Sequence, residues 1–274
     1  MLRLFKFKKI ENMKSFILLS VCILIIACSK VPVSGRRQMN LLPESELILM
    51  AKQEYDKFIS QSIVVTGTVN SELVEKVGRK ISNSVEAYLN KNGYSKRLNG
   101  FEWEFKLIQD PTVNAWCMPG GKICVYTGIL DITQDESGLA VVMGHEIAHA
   151  IARHGNERMS KAVAAQMGGV ALSVAVSNKK EQTQRLFNQA YGLGSGLGGL
   201  AFSRKNELES DHLGLVFMQL AGYDASEAIG FWQRMAAEGG SVPEFLSTHP
   251  SDERRVKEIS SFLASEKFKN HTEQ

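Results

Sequence analysis

MGHEIAHAIARHG (143–155) decides how the rest of the chain is read. His145, Glu146, His149 and His154 fall within ten positions. An α-helix turns once in about 3.6 residues, so positions four apart stand one above the other on one face. His145 and His149 therefore present two imidazoles to one point. Glu146 sits beside the first, placed to reach a water at that point rather than a metal. His154 is five residues past His149, which turns it off the shared face, so it reads as an ordinary histidine.

Such a pattern suits catalytic zinc, which takes three protein ligands and keeps one position for water whose pKa falls to about 7. A carboxylate beside that water accepts its proton as the hydroxide attacks a carbonyl, then passes the proton to the leaving amine. The bland alternative is a coincidence of three residues on a plain helix, so the rest of the chain must supply a third ligand. The metzincin continuation needs glycine three residues after the second histidine and a third histidine three further on; those places hold Ala152 and Gly155. A carboxylate from a second helix is the other common source. SRKNELESDHLG (203–214) carries Glu207 and Asp211 four apart on one face. Glu207 suits the metal and Asp211 the free N–H of a ligand histidine, which fixes its tautomer. Glu209 points to a different face. Taken alone, ELESD would read as a solvated acidic surface.

With HEIAH (145–149) followed by ELESD (207–211), the chain resembles the ExxAD-bearing gluzincin metallopeptidases, which include the Ste-type CAAX proteases, the HtpX proteases, mitochondrial Oma and the bacterial envelope proteases LoiP and BepA. Three more stretches carry the resemblance: NAWCMPGGKICVYTGIL (114–130), STHPSDERRVKEI (247–259) and CSKVPVSGRRQMNLLP (28–43), the last similar to the mature start of LoiP-type lipoproteins. Ser210 departs from the usual alanine, a small change. The resemblance implies an α+β, mainly α-helical, zincin-like fold with a small sheet beside the HExxH helix, and one Zn2+ per chain. It implies metal ligands His145, His149 and Glu207, with Glu146 as base. It also implies that Asn114, Ala115, Trp116, Cys117 and Met118 form an edge strand that holds an extended substrate by main-chain hydrogen bonds. His249 would lie close to the metal, occupying its open position at rest and later steadying the oxyanion. Partners would be unfolded proteins or peptides, which alone can present a strand, and outer-membrane assembly machinery.

The start of the chain reads as an address. Arg3, Lys6, Lys8, Lys9 and Lys14 precede FILLSVCILIIA (16–27) and then Cys28. A charged start, a short apolar stretch and a small residue before the break describe a secretory signal; twelve residues are too few for a spanning helix of about 20. Ile25-Ile26-Ala27-Cys28 resembles a lipobox, with Cys28 as the lipidated first residue of an envelope protein facing the periplasm, and Ser29 resembles an outer-membrane sorting signal. An uncleaved anchor is the alternative, and Met13 is a second candidate start. Removing 1–27 takes five basic and one acidic group from a net charge of +3, leaving about −1. The basic balance belongs to the targeting segment and calls for no nucleic-acid partner.

Residues 28–42 are expected as a lipidated linker, 43–267 as one metallopeptidase domain and 268–274 as a polar tail; 44% apolar residues support a sizeable core. Helical spacing predicts helices near 43–60 and from an Asn70 cap to Gly93. Alternation of Trp103, Phe105 and Leu107 with charged neighbours predicts a half-buried strand, and 112–127 a hairpin. The HExxH helix is expected from about Asp135 to His154-Gly155, with further helices near 204–221, 224–238 and 251–267. AVAAQMGGVALSVAV (162–176) reads as a buried or interfacial helix and YGLGSGLGGL (191–200) as a Gly-rich link, a loop or a lid. With a two-residue Gly120-Gly121 turn, Cys117 and Cys124 would face each other across the hairpin, as a strained disulfide or as two buried thiols. A reading from another class is a lipid-anchored chaperone or scaffold for outer-membrane proteins with little proteolysis. The presence of both Glu146 and Glu207 argues against a site that has lost its chemistry.

Overall fold

In the computed structural model of the chain, residues 28–166, 180–191, 202–237, 245, 249 and 253–273 are described. The fold is α+β and mainly helical, built around one helix. That helix, α4 (Glu136–Ala152), is buried along its length: every residue from Gly138 to Ala152 is inside. A helix apolar or small on all sides belongs in a core rather than on a surface. Asp135 caps its start, its side chain accepting from the Gly138 amide at 2.8 Å, and Arg153 ends it in the left-handed region.

Around α4 stand α2 (Val69–Lys91), α7 (Arg204–Leu220) and α8 (Glu227–Ala237), together with a four-stranded sheet. Thr68 caps α2 in a reciprocal capping box with Ser71, two residues before the expected Asn70. The sheet runs β3 (Val64–Val65), β4 (Glu104–Ile108), β6 (Lys122–Tyr126), β5 (Ala115–Met118), with β4 and β6 parallel and the outer pairs antiparallel. Strand alternation divides its side chains between two cores. Phe105, Leu107, Ala115, Cys117, Ile123 and Val125 face the α2/α4 side. Ile108, Met118 and Cys124 face α1 (Glu44–Gln61), α5 (His154–Gln166) and α6 (Lys180–Tyr191).

The β5–β6 turn differs from the expected two-residue form. Cys117 pairs with Ile123 and Trp116 with Cys124, so the turn holds three residues, Pro119-Gly120-Gly121. A shift of one residue sends a side chain to the opposite face. Cys117 and Cys124 are therefore free thiols, each buried in a different core.

Helices α4 and α7 pack directly against each other. A Cβ on Gly214 would stand 2.9 Å from the carbonyl carbon of Gly144 and 2.9 Å from the amide nitrogen of His145. Glycine at both positions lets the two backbones touch one residue away from His145.

Residues 28–42, expected as a linker, include an antiparallel hairpin, β1 (Cys28–Lys30) with β2 (Arg37–Met39), that packs onto the domain. Buried Arg97 fastens it, donating to the Lys30 carbonyl at 2.6 Å and to the Ile151 carbonyl in α4 at 2.7 Å. At the other end, α3 (Leu130–Thr133) precedes α4, while α9 (Glu253–Leu263) and α10 (Glu266–Thr272) close the chain, α10 reaching into the expected polar tail. The expected signal segment 1–27, most of 162–176 and nearly all of the Gly-rich link lie outside the described residues. No helix among the described residues is long and apolar enough to cross a membrane.

Two outcomes follow from this packing. Gly214→Ala must push α4 and α7 apart, and overpacking of this kind costs about 1–3 kcal/mol; thermal unfolding should shift down by roughly 2–10 °C, and an unchanged midpoint would refute the contact. Peptides carrying Cys117 and Cys124 should alkylate equally after denaturation with or without reductant; labelling that rises on reduction would contradict the register.

Candidate metal centre

Ser203 caps α7, its side chain accepting from the Asn206 amide, and thereby sets Glu207 in the helix's first turn. There Glu207 faces the two α4 histidines. His145 Nε2 and His149 Nε2 are 3.0 Å apart. Glu207 Oε2 lies 3.4 Å from the first and Oε1 3.4 Å from the second. His249 Nδ1 lies 3.3 Å from His145 Nε2 and 3.3 Å from Glu207 Oε1. All four side chains are buried.

These separations fit a metal. Tetrahedral zinc with ligands at about 2.0–2.1 Å holds its donor atoms about 3.3 Å apart. Among the described residues, His145, His149, Glu207 and His249 are the group that could hold an ion, with ligand atoms all within 4.8 Å of one another. Glu207 Oε2 and Glu146 Oε1 are buried with no hydrogen-bond partner among the described residues. Buried carboxylate oxygens are ordinarily hydrogen-bonded, so two that lack such a bond at this point suit a cation.

The charges around the cluster agree. Burial opposes charge on Glu207, but His249, His145 and His149 outweigh it and hold the carboxyl well below its ordinary range. Burial likewise opposes charge on His145, yet Asp211 and Glu207 raise it to about 9. Burial pushes His149 well down. The site thus favours positive charge at one point, which a dication would supply with both imidazoles neutral.

Glu146 lies beside the cluster rather than in it. Its Oε1 is 3.5 Å from His249 Nε2, and burial pushes its carboxyl up despite the opposing pull of His249 and His145. A carboxylate raised above its ordinary range holds a proton more readily than a free one, which is what acid–base work asks of it. β5 is the terminal strand of the sheet and packs on α4. Within it, Cys117 lies close enough to Glu146 for that charge to add to burial in raising the thiol.

Asp211 stands where its spacing puts it, its Oδ1 2.9 Å from His145 Nδ1. Sequence reasoning missed its partner. Arg255, on α9, grips Asp211 with Nε and Nη2, both at 2.7 Å, and brings Nη1 to 3.4 Å from Glu207 Oε2. Its guanidinium lies 3.4 Å from the centre of the Trp232 ring, a favourable cation–π placement. The available signal was periodicity: Arg255 shares a helical face with buried Ile259 and Phe262.

His154 and Glu209, set aside on spacing, also belong here. His154 Nδ1 is 3.1 Å from His149 Nδ1, and its Nε2 is 2.9 Å from Glu209 Oε2. Ser210, at the position usually alanine, adds a hydroxyl 3.1 Å from His154 Nδ1. The Phe202 ring covers His149 at 4.1 Å between centroids, with Arg158 4.0 Å from the Phe202 ring centre.

Paired histidines one helical turn apart, a glutamate beside the first and a carboxylate from a second helix define a metallopeptidase centre of the HExxH class. Residues 75–263 match the family described as Peptidase family M48. The chain is 34% identical over 247 residues to the mitochondrial metalloendopeptidase OMA1 of Schizosaccharomyces pombe, covering 88% of this chain and 68% of the relative. Identity to the human mitochondrial metalloendopeptidase OMA1 is 27%, covering 92% of this chain and 49% of the relative. Against the putative beta-barrel assembly-enhancing protease of Vibrio cholerae it is 32%, covering 56% and 33%. The matches to these last two span half or less of the relatives' own length. The chain belongs to peptidase family M48, and the enzyme class this supports is metalloendopeptidase.

Asp211→Asn should keep the fold but weaken zinc binding about 10–100-fold, the usual cost of losing a carboxylate behind a ligand histidine. Chelator competition measures this, and wild-type affinity would remove Asp211 from the role.

Proposed function

We propose that the chain is a zinc-dependent endopeptidase that hydrolyses unfolded or misfolded proteins of the bacterial envelope, akin to LoiP-type lipoproteins. The observation that carries this reading is the convergence of His145, His149, Glu207 and His249, whose ligand atoms all lie within 4.8 Å of one another, with buried Glu146 beside them. His145, His149 and Glu207 would hold the zinc. When bound, zinc supplies an acidified water and polarises the scissile carbonyl. Glu146 takes the proton from the attacking water and delivers it to the leaving amine. The terminal position of β5 in the sheet suits the addition of a substrate strand along Asn114–Met118, and main-chain pairing selects for extended chains rather than for sequence.

Lipid attachment at Cys28 and an outer-membrane location facing the periplasm rest on the sequence around 16–29. A link to outer-membrane assembly rests on the similarity to relatives named beta-barrel assembly-enhancing proteases. One observation favours a second reading, a lipid-anchored chaperone that cuts rarely: His249 sits at the fourth corner of the cluster, where a substrate carbonyl or water would otherwise be. In the protease reading the same contact makes His249 a gate.

Zinc-loaded protein should cleave casein. Glu146→Gln should cut the rate about 10²–10⁴-fold, the range for a positioned acid–base group, and chelator should abolish it. Wild-type cleavage unaffected by Glu146→Gln would overturn the role of the base. No cleavage by either wild type or His249→Ala, with one zinc bound, would favour the chaperone. Equal rates for wild type and His249→Ala would remove the gate.

A further inference from the structure

The two histidines of the cluster are backed in different ways. His145 meets a carboxylate directly through Asp211. His149 meets another imidazole, that of His154, which is itself fully buried. A carboxylate can only accept, so the contact between Glu209 Oε2 and His154 Nε2, at 2.9 Å, places the His154 proton on Nε2. His154 Nδ1 is then an acceptor. Across 3.1 Å, His149 must carry its proton on Nδ1, which leaves the Nε2 lone pair directed at the cluster. The Ser210 hydroxyl also lies 3.1 Å from His154 Nδ1, on the acceptor side of the ring. The tautomer of His149 is thus fixed from Glu209, one whole imidazole away.

Glu209 is in turn held by the N-terminal hairpin. Arg36 Nε donates to its Oε1 at 3.0 Å and its Oε2 at 2.8 Å, and Nη2 donates to Oε2 at 2.6 Å. The Ser34 hydroxyl donates to Oε1. Arg36 also spans Glu157, with Nη1 2.9 Å from Oε1 and Nη2 2.7 Å from Oε2. A planar guanidinium can serve two carboxylates at once in a way an ammonium cannot. Glu157 has further cover in Lys161, at 2.8 Å, and Asn206. The turn that aims Arg36 is constrained: Val33, β-branched and buried, has φ of 61°, and the Val31 amide donates to the Arg36 carbonyl at 2.8 Å. A β-branched residue in the left-handed region costs energy and persists where its surroundings enforce it.

We infer that Arg36 is a positioning residue of the metal centre: through Glu209 and His154 it orients His149 and fixes its tautomer, making residues 31–36 a working part of the site. The inference rests on the metal reading above. The structure also supplies a control, because Glu157 and Glu209 share Arg36 but only Glu209 touches His154.

The test compares Arg36→Met, Arg36→Lys, Glu209→Gln and Glu157→Gln in the full chain. Zinc affinity comes from chelator competition, site geometry from the visible spectrum of the cobalt(II) form, and folding from thermal melting without metal. Arg36→Met and Glu209→Gln should weaken zinc about 10–100-fold, the range for losing a group that supports a ligand, and alter the cobalt spectrum. Arg36→Lys should recover part of the affinity. Glu157→Gln should melt lower yet bind zinc within about threefold of wild type and keep its spectrum. Normal zinc affinity in both Arg36→Met and Glu209→Gln would overturn the inference alone. Equal losses in Glu157→Gln and Glu209→Gln would also overturn it, reducing Arg36 to a structural clamp. If Arg36→Met does not fold, Glu209→Gln carries the comparison. Wild-type protein that binds no zinc would overturn the metal reading, and this inference with it.

Discussion

The contact on which the site depends is between two glycines. At Gly144 and Gly214 the backbones of α4 and α7 come so close that a Cβ on Gly214 would force them to shift. That approach sets the distance from His145 and His149 on one helix to Glu207 and Asp211 on the other. A metal site needs its donors within a few tenths of an ångström of their places, and side chains on rigid helices meet that requirement better than side chains on loops. The buried length of α4 serves the same end: held on all sides, it fixes the orientation of both imidazoles.

Three carboxylates, Glu146, Glu207 and Asp211, are buried within this small volume. Burying unpaired charge is costly, and each is treated differently. Asp211 takes both a histidine and the fork of Arg255. Glu207 faces imidazoles and the remaining Arg255 nitrogen. Glu146 has the least compensation and is the one in which burial outweighs the neighbouring cations and raises the proton affinity. The same low-polarity setting thus lowers the proton affinity of two carboxylates and raises that of the third.

Much of this was legible in the sequence because helical period carries geometry. His145, His149, Glu207 and Asp211 all follow from spacings of four, and the alternation of Trp103, Phe105 and Leu107 located β4. The failures have physical reasons. One residue more in the turn after Met118 reversed the face of Cys124, and turn length is not set by hydrophobic pattern. Arg255, Glu209 and Arg36 were indistinguishable from solvated charges, since a sequence does not say which charged side chains find partners in the interior. His154 was discounted because a turn off the metal face is not a turn away from the site: it places the ring behind His149, where a support belongs. The hairpin at 28–39 was hidden by brevity, as strands of three residues leave no period to read.

The groups that meet at this centre are far apart along the chain. His249 and Arg255 come 100 and 106 positions after His149. Arg255 is the cation that lets Asp211 and Glu207 share the interior. During synthesis, which proceeds from the N-terminus, α4 and α7 are made before the residue that neutralises their carboxylates. The finished geometry is therefore withheld until Arg255 itself has been made, so a hydrolytic centre in a nascent chain that stops short of it stays unassembled while its own unfolded neighbours are most exposed.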